Sequence, residues 1–151
     1  MPPERLLPDD PLEWLNRAKS DLTIAQSHIK GAYLEDLRYH AQQAAEKAFK
    51  ALLLQRAGKF PYVHDLAKLV SEIELEGMAV PGDIYDAVAL TSYAVQGGYP
   101  GFDDPVTELE LTEARTRAVR VVKWVEALLQ REIPKNGAAG KQTPENPAAE
   151  L

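Results

Sequence analysis

The run Tyr39-His40-Ala41-Gln42-Gln43-Ala44-Ala45-Glu46-Lys47-Ala48-Phe49-Lys50-Ala51-Leu52-Leu53 constrains this chain more than any other stretch. It reads as a helix with two different faces. Ala41, Ala44, Ala45, Ala48, Leu52 and the neighbouring Phe49 make an apolar stripe, and its small residues let another helix approach closely. Gln42, Gln43, Glu46, Lys47 and Lys50 cover the rest with amides and charges. Gln43, Glu46, Lys47 and Lys50 follow 3–4 spacing and so share one flank. The plain reading of that flank is a solvated surface with helix-stabilising pairs. A ligand- or partner-binding face is the alternative.

Five amphipathic segments and no alternating strand pattern emerge along the chain. The first covers about residues 11–30. Asp10 is placed to cap it, Pro11 suits its first turn, and Glu13 falls where a capping box puts its carboxylate. Leu12, Leu15, Ala18, Leu22, Ala25 and Ile29 form its apolar face, with Gly31 as a stop. The second covers about 35–57 and is ended by Gly58. The third covers about 64–76, turning Leu66, Leu69, Val70 and Ile73 inward. The fourth follows Pro81-Gly82-Asp83, with Ile84, Ala87, Val88, Thr91 and Val95 on one face. After the Gly/Pro-rich break at 96–105, the fifth begins between Thr107 and Thr112 and ends near Ile133. Its inward face is Ala118, Val121, Val122, Val125, Leu128 and Leu129, and Arg115, Arg117, Arg120 and Lys123 make its middle basic. The expectation is an all-α, up-and-down bundle of about five helices over residues 1–133. Residues 134–151 are expected to form a flexible, disordered tail, because they hold almost no large apolar side chain.

A chain of 151 residues suits one domain with a real core. Its formal charge of −6 argues against holding nucleic acid by bulk electrostatics, which needs a basic face. Zero cysteines exclude disulfides, thiolate metal sites and thiol nucleophiles. No secretory signal pattern opens the chain, and no run approaches the roughly 18 apolar residues of a membrane span. The expected location is the cytoplasm, with no membrane or DNA partner.

Chemistry-bearing patterns are sparse. His28 reads as exposed, and His40 as a packing or surface hydrogen-bonding residue. His64 directly precedes Asp65, whose carboxylate is placed to cap the third helix. That pair has two readings, a simple helix start or a functional histidine. No His-x-x-x-His or Glu-x-x-His pair exists, so no metal site is expected. Gly-x-Ser-x-Gly, Gly-x-Gly-x-x-Gly and the P-loop lysine pattern are also absent, and no cofactor is expected.

The run "HAQQAAEKAFKALL", followed by Gly58, Phe60-Pro61 and His64-Asp65-Leu66, resembles the HEPN family (higher eukaryote and prokaryote nucleotide-binding domain). The likeness extends from Trp14 and Ala18 in the first helix through Gln43, Glu46, Lys47 and Lys50 to Tyr99-Pro100 and on to Leu129. The resemblance implies a helical bundle that usually dimerises and acts with a small nucleotidyltransferase. It also implies a proposed role in binding nucleotide or RNA, in settings such as toxin–antitoxin pairs. Gln43, Glu46, Lys47, Lys50, His64, Asp65 and Tyr99 are the residues it marks for ligand or partner binding.

Many HEPN proteins are metal-independent ribonucleases in which four to six residues separate an Arg from the His that follows it. There the histidine acts as acid or base and the arginine offsets phosphoryl charge. This chain lacks that arginine before each of its histidines. Lys59 precedes His64 but has no bidentate fork. Gly98 stands where related sequences often carry arginine before Tyr-Pro. The expectation is therefore a dimeric regulatory or binding module rather than an enzyme. The alternatives are a ribonuclease using His64, its one weak catalytic candidate, and a purely structural helical adaptor.

Overall fold

The computed structural model describes residues 1–91 and 105–141, with side chains through residue 131. Among the described residues every regular element is helical: α1 (Pro11–Gln26), α2 (Leu34–Ala57), α3 (Leu66–Leu75), α4 (Gly82–Tyr85) and α5 (Glu108–Lys141). The all-α bundle is as the sequence pattern predicts.

Local chemistry sets most of the boundaries. Asp10 Oδ1 accepts the Leu12 N–H at 2.8 Å, and Pro11 follows in the first turn of α1, where a missing N–H costs nothing. Asp65 Oδ1 accepts the Ala67 N–H at 3.0 Å and caps α3. Gly58 ends α2 with φ 75°, and its N–H bonds to the Leu54 carbonyl. Thr107 and Glu110 form a reciprocal capping box at the head of α5. The Thr107 N–H donates to Glu110 Oε1 at 2.9 Å, and the Glu110 N–H donates to Thr107 Oγ1 at 3.1 Å.

At 24 residues α2 is about 36 Å long, and it is the central helix, packing against α1, α3 and α5. Its apolar stripe of Ala41, Ala44, Ala45, Ala48, Phe49 and Leu52 is fully buried. Alanine at so many contact positions lets neighbouring backbones approach, and the larger side chains come from those neighbours. They are Leu15 of α1, Leu66, Leu69, Val70 and Ile73 of α3, and Val121, Val122, Val125 and Leu129 of α5. A smaller cluster of Leu37, Val106 and Leu111 closes the end where α5 begins.

Several boundaries differ from the sequence pattern. α1 ends at Gln26 rather than near residue 30, leaving Ile29 49% exposed. The reason lies in a partner helix. The Arg115 guanidinium takes the Ala25 carbonyl at 2.5 Å and the Ser27 carbonyl at 3.1 Å, and the Ser27 hydroxyl donates back to Ile24. Those groups satisfy the helix end and let the chain turn. α3 starts at Leu66, so His64 lies outside it. The fourth segment is not one smooth helix, because α4 tightens into a 3₁₀ turn at Asp86–Val88. Ile84, Ala87 and Leu90 are buried there, and Thr91 Oγ1 accepts the Leu66 N–H at 2.7 Å.

Glu13 does not complete a capping box. The arm before α1 folds back, and its Leu6 N–H donates to Glu13 Oε1 at 2.8 Å while Arg17 takes Oε2 at 2.7 Å. Helical backbone in α5 continues to Lys141, through Pro134. A proline removes one helical N–H, which is why the pattern alone stops there, but the turns on either side keep helical geometry. The other residues assigned to the tail, 142–151, lie outside the described residues, as do 92–104 with Tyr93, Val95 and Tyr99.

Candidate functional site

The polar flank of α2 is not a solvated surface. Arg38, Gln42, Glu46 and Lys50, each four residues from the next, are 6%, 2%, 3% and 5% exposed. A buried charge is tolerated only when paired and hydrogen-bonded. Glu46 meets that condition. Its Oε2 accepts Lys50 Nζ at 2.8 Å and faces His64 Nδ1 at 3.0 Å, and its Oε1 accepts Gln42 Nε2 at 3.1 Å. Gln43 Nε2 reaches the same oxygen at 3.5 Å and Gln42 Oε1 at 2.8 Å. Gln42 also reaches the His64 carbonyl at 3.4 Å, tying the loop before α3 to α2.

The single flank predicted for Gln43, Glu46, Lys47 and Lys50 splits into two carboxylate-centred groups. Gln43, Glu46, Lys50 and His64 come together around Glu46. Lys47 turns instead to Asp21 of α1, at 2.5 Å from Oδ2, and His40 Nδ1 takes the other oxygen at 2.8 Å. Asp65 has its carboxylate engaged at the α3 cap, apart from both groups.

His64 is the part of this arrangement that meets solvent, with its side chain 79% exposed. When Nδ1 carries the proton toward Glu46, the lone pair of Nε2 is left for a ligand, a partner or a transferred proton. Lys50 has the opposite character. Its ammonium lies between Glu46 and the face of Phe60, 5.1 Å from the ring centroid, so its charge is already balanced. Lys47 is balanced by Asp21 in the same way. The two lysines thus present far less free positive charge than the sequence alone suggests. Among the described residues no group of three or more His, Asp or Glu side chains is placed to hold a metal ion.

Asp21 belongs to the site and was not singled out from the sequence. In the sequence Gln42 reads only as part of the polar face, Phe60 only as a landmark of the family likeness, and His40 as a packing or surface hydrogen-bonding residue, which its 2.8 Å contact with Asp21 matches. Two signals point to Gln42 and Asp21. Gln42 completes the every-fourth-residue polar series from Arg38 to Lys50. Asp21 falls in register with the buried Ala18 and Ala25, so its carboxylate is carried on the inward stripe of α1, where it is 7% exposed.

The sequence profile of the HEPN domain matches residues 12–128, from the first turn of α1 to the last buried turns of α5. The chain belongs to the HEPN domain family. Two solved structures share the architecture. TT1696 from Thermus thermophilus is 31% identical, with a TM-score of 0.66, over 78% of this chain and 96% of that one. ST0689, an archaeal HEPN homologue, is 27% identical, with a TM-score of 0.62, over 79% of this chain and 97% of that one. The chain matches none of the curated proteins with which it was compared. The matched span contains the Glu46 and Asp21 groups, so both belong to the HEPN bundle itself.

Proposed function

We propose that this HEPN protein is a dimeric regulatory module that acts with a small nucleotidyltransferase and engages that partner, or a nucleotide it carries, around His64. The observation that supports this reading most is the pairing of Lys47 with Asp21 and of Lys50 with Glu46. A protein that cleaves or holds RNA needs free cationic groups at the phosphates. Here Lys50, which shares Glu46 with His64, and Lys47 of the same helix are each paired with a carboxylate, and the whole chain is acidic at −6. A surface of that kind suits recognition of a folded partner, in which the imidazole and the Gln43 amide supply directional hydrogen bonds.

The test is affinity recovery of the tagged protein from its own cell extract, with and without nuclease treatment. A nucleotidyltransferase that stays bound after nuclease treatment is the expected result. Recovery of RNA alone, lost on treatment, would count against it.

A second reading is favoured by one observation, the Glu46–His64 pair, in which a buried carboxylate 3.0 Å from Nδ1 orients an exposed imidazole. That is a workable acid/base for a metal-independent ribonuclease. Cleavage of single-stranded or structured RNA that disappears in His64→Ala would establish it. The absence of cleavage by the intact protein would end it.

A further inference from the structure

Residues 6–10, just before α1, form an arm held in place by three hydrogen bonds. Leu6 N–H donates to Glu13, the Asp10 N–H donates to the Leu7 carbonyl at 3.0 Å, and Trp14 Nε1–H donates to the Pro8 carbonyl at 2.7 Å. This fixed arm displays apolar side chains that its own molecule leaves uncovered. Leu7 is 71% exposed and Leu6 38%. A trough of about 360 Å³ lies between the end of α2 and α3, walled by Leu53, Ala57, Phe60 and Pro61. Phe60 is also the residue against which Trp14 packs, ring centroids 4.9 Å apart. Projection and trough therefore flank the same Trp14–Phe60 contact.

We propose that Leu6 and Leu7 of one copy fill the Phe60 trough of a second copy, and reciprocally, giving a two-fold dimer. The inference rests on the dimeric reading above and specifies its interface. An isologous contact requires one patch that carries both halves of the fit, and the adjacency of arm and trough provides it. The charges agree as well. The trough is rimmed by Lys59, Lys68, Glu72 and Glu76. Lys68 and Glu72 pair with each other at 3.0 Å, which leaves Lys59 and Glu76 to face the Glu4 and Arg5 that stand immediately before the two leucines of the arm. A mixed-sign rim facing a mixed-sign arm permits opposite pairing in both places, which fixes register. Lys59 has no ion-pair partner among the described residues and is available for Glu4.

The test is sedimentation equilibrium of the full chain, with far-UV circular dichroism to check folding. Leu7→Asp and Ala57→Arg change exposed positions, and each is expected to raise the dimer Kd at least tenfold. Leu109→Asp, which alters an exposed leucine at the start of α5, should leave it unchanged. The absence of native cysteine permits a second readout, because oxidation of the Leu7→Cys/Ala57→Cys double variant should link two chains. A disulfide closed within one chain, or none, would overturn the proposal. A wild-type dimer indifferent to both substitutions would overturn this interface and leave the dimer standing. A wild-type monomer at high micromolar concentration would remove both.

Discussion

His64 Nδ1 lies 3.0 Å from Glu46 Oε2, so an imidazole that is 79% exposed is anchored by a carboxylate that is 3% exposed. The two ends of this pair answer to different forces. Glu46 is committed by its surroundings, since Lys50, Gln42 and Gln43 also converge on it. His64 is positioned by that commitment while its remaining nitrogen faces solvent. Substitutions at the two ends should therefore have very different consequences.

Removing the carboxylate should be costly. Glu46→Ala leaves the Lys50 ammonium buried without its counter-charge, and loss of one member of a buried pair typically costs about 3–5 kcal/mol. Urea unfolding should show a loss in that range, and replacing Lys50 with Met in the same background should restore part of it. A loss below about 1 kcal/mol would mean that the pair behaves as if exposed to water.

His64→Ala should change stability by no more than about 0.5 kcal/mol, as expected for an exposed side chain. Gln42→Ala, which strips a buried amide from both Glu46 and the His64 carbonyl, should cost about 1–3 kcal/mol. If the site works through His64, the first variant should weaken partner recovery while melting normally.

Acid should release the N-terminal arm. The Leu6 N–H, and then Arg17, hold the Glu13 carboxyl below its ordinary value of 4.5. A carboxyl lowered in the folded state adds stability that is fully present above its unfolded pKa and is lost as pH falls through the folded one. The melting temperature should therefore drop as pH falls below about 4.5, and Glu13→Gln should flatten part of that slope. Hydrogen exchange at the Leu6 amide is the local readout, and its protection factor, measured against the intrinsic rate at each pH, should fall over the same interval.

Arg115→Ala should destabilise the bundle by about 2–3 kcal/mol, because charge-assisted bonds to two carbonyls at the end of α1 are lost together. Arg115→Lys, with one donor group in place of a fork, should recover only part of this in thermal unfolding.

Gly58→Ala should cost about 1–2 kcal/mol, the penalty for placing a side chain in left-handed backbone. The space around Gly58 is open, so the whole effect should come from the backbone and none from a clash.

The sequence by itself determined the helical bundle, and the reason is local. Period-3.6 patterns at about 11–30, 35–57, 64–76 and from 107–112 to 133 name most of their inward residues without reference to neighbours, and Asp10, Asp65 and Gly58 mark ends through backbone chemistry within a few residues. Gln43, Glu46, Lys47 and Lys50 were legible as one flank from their spacing and His64 only from the family likeness, whereas the structure gathers Gln43, Lys50 and His64 at Glu46 and turns Lys47 to Asp21. Tertiary structure decided the rest. Where α1 stops depends on Arg115, about ninety residues away. Whether the flank of α2 is solvated or buried depends on the loop before α3 and on α1 closing over it. The pairing of Lys47 with Asp21 rather than Glu46 depends on α1 packing beside α2. Charge on a helix face is a property of sequence, but its availability to a ligand is set by the counter-charge that packing brings alongside.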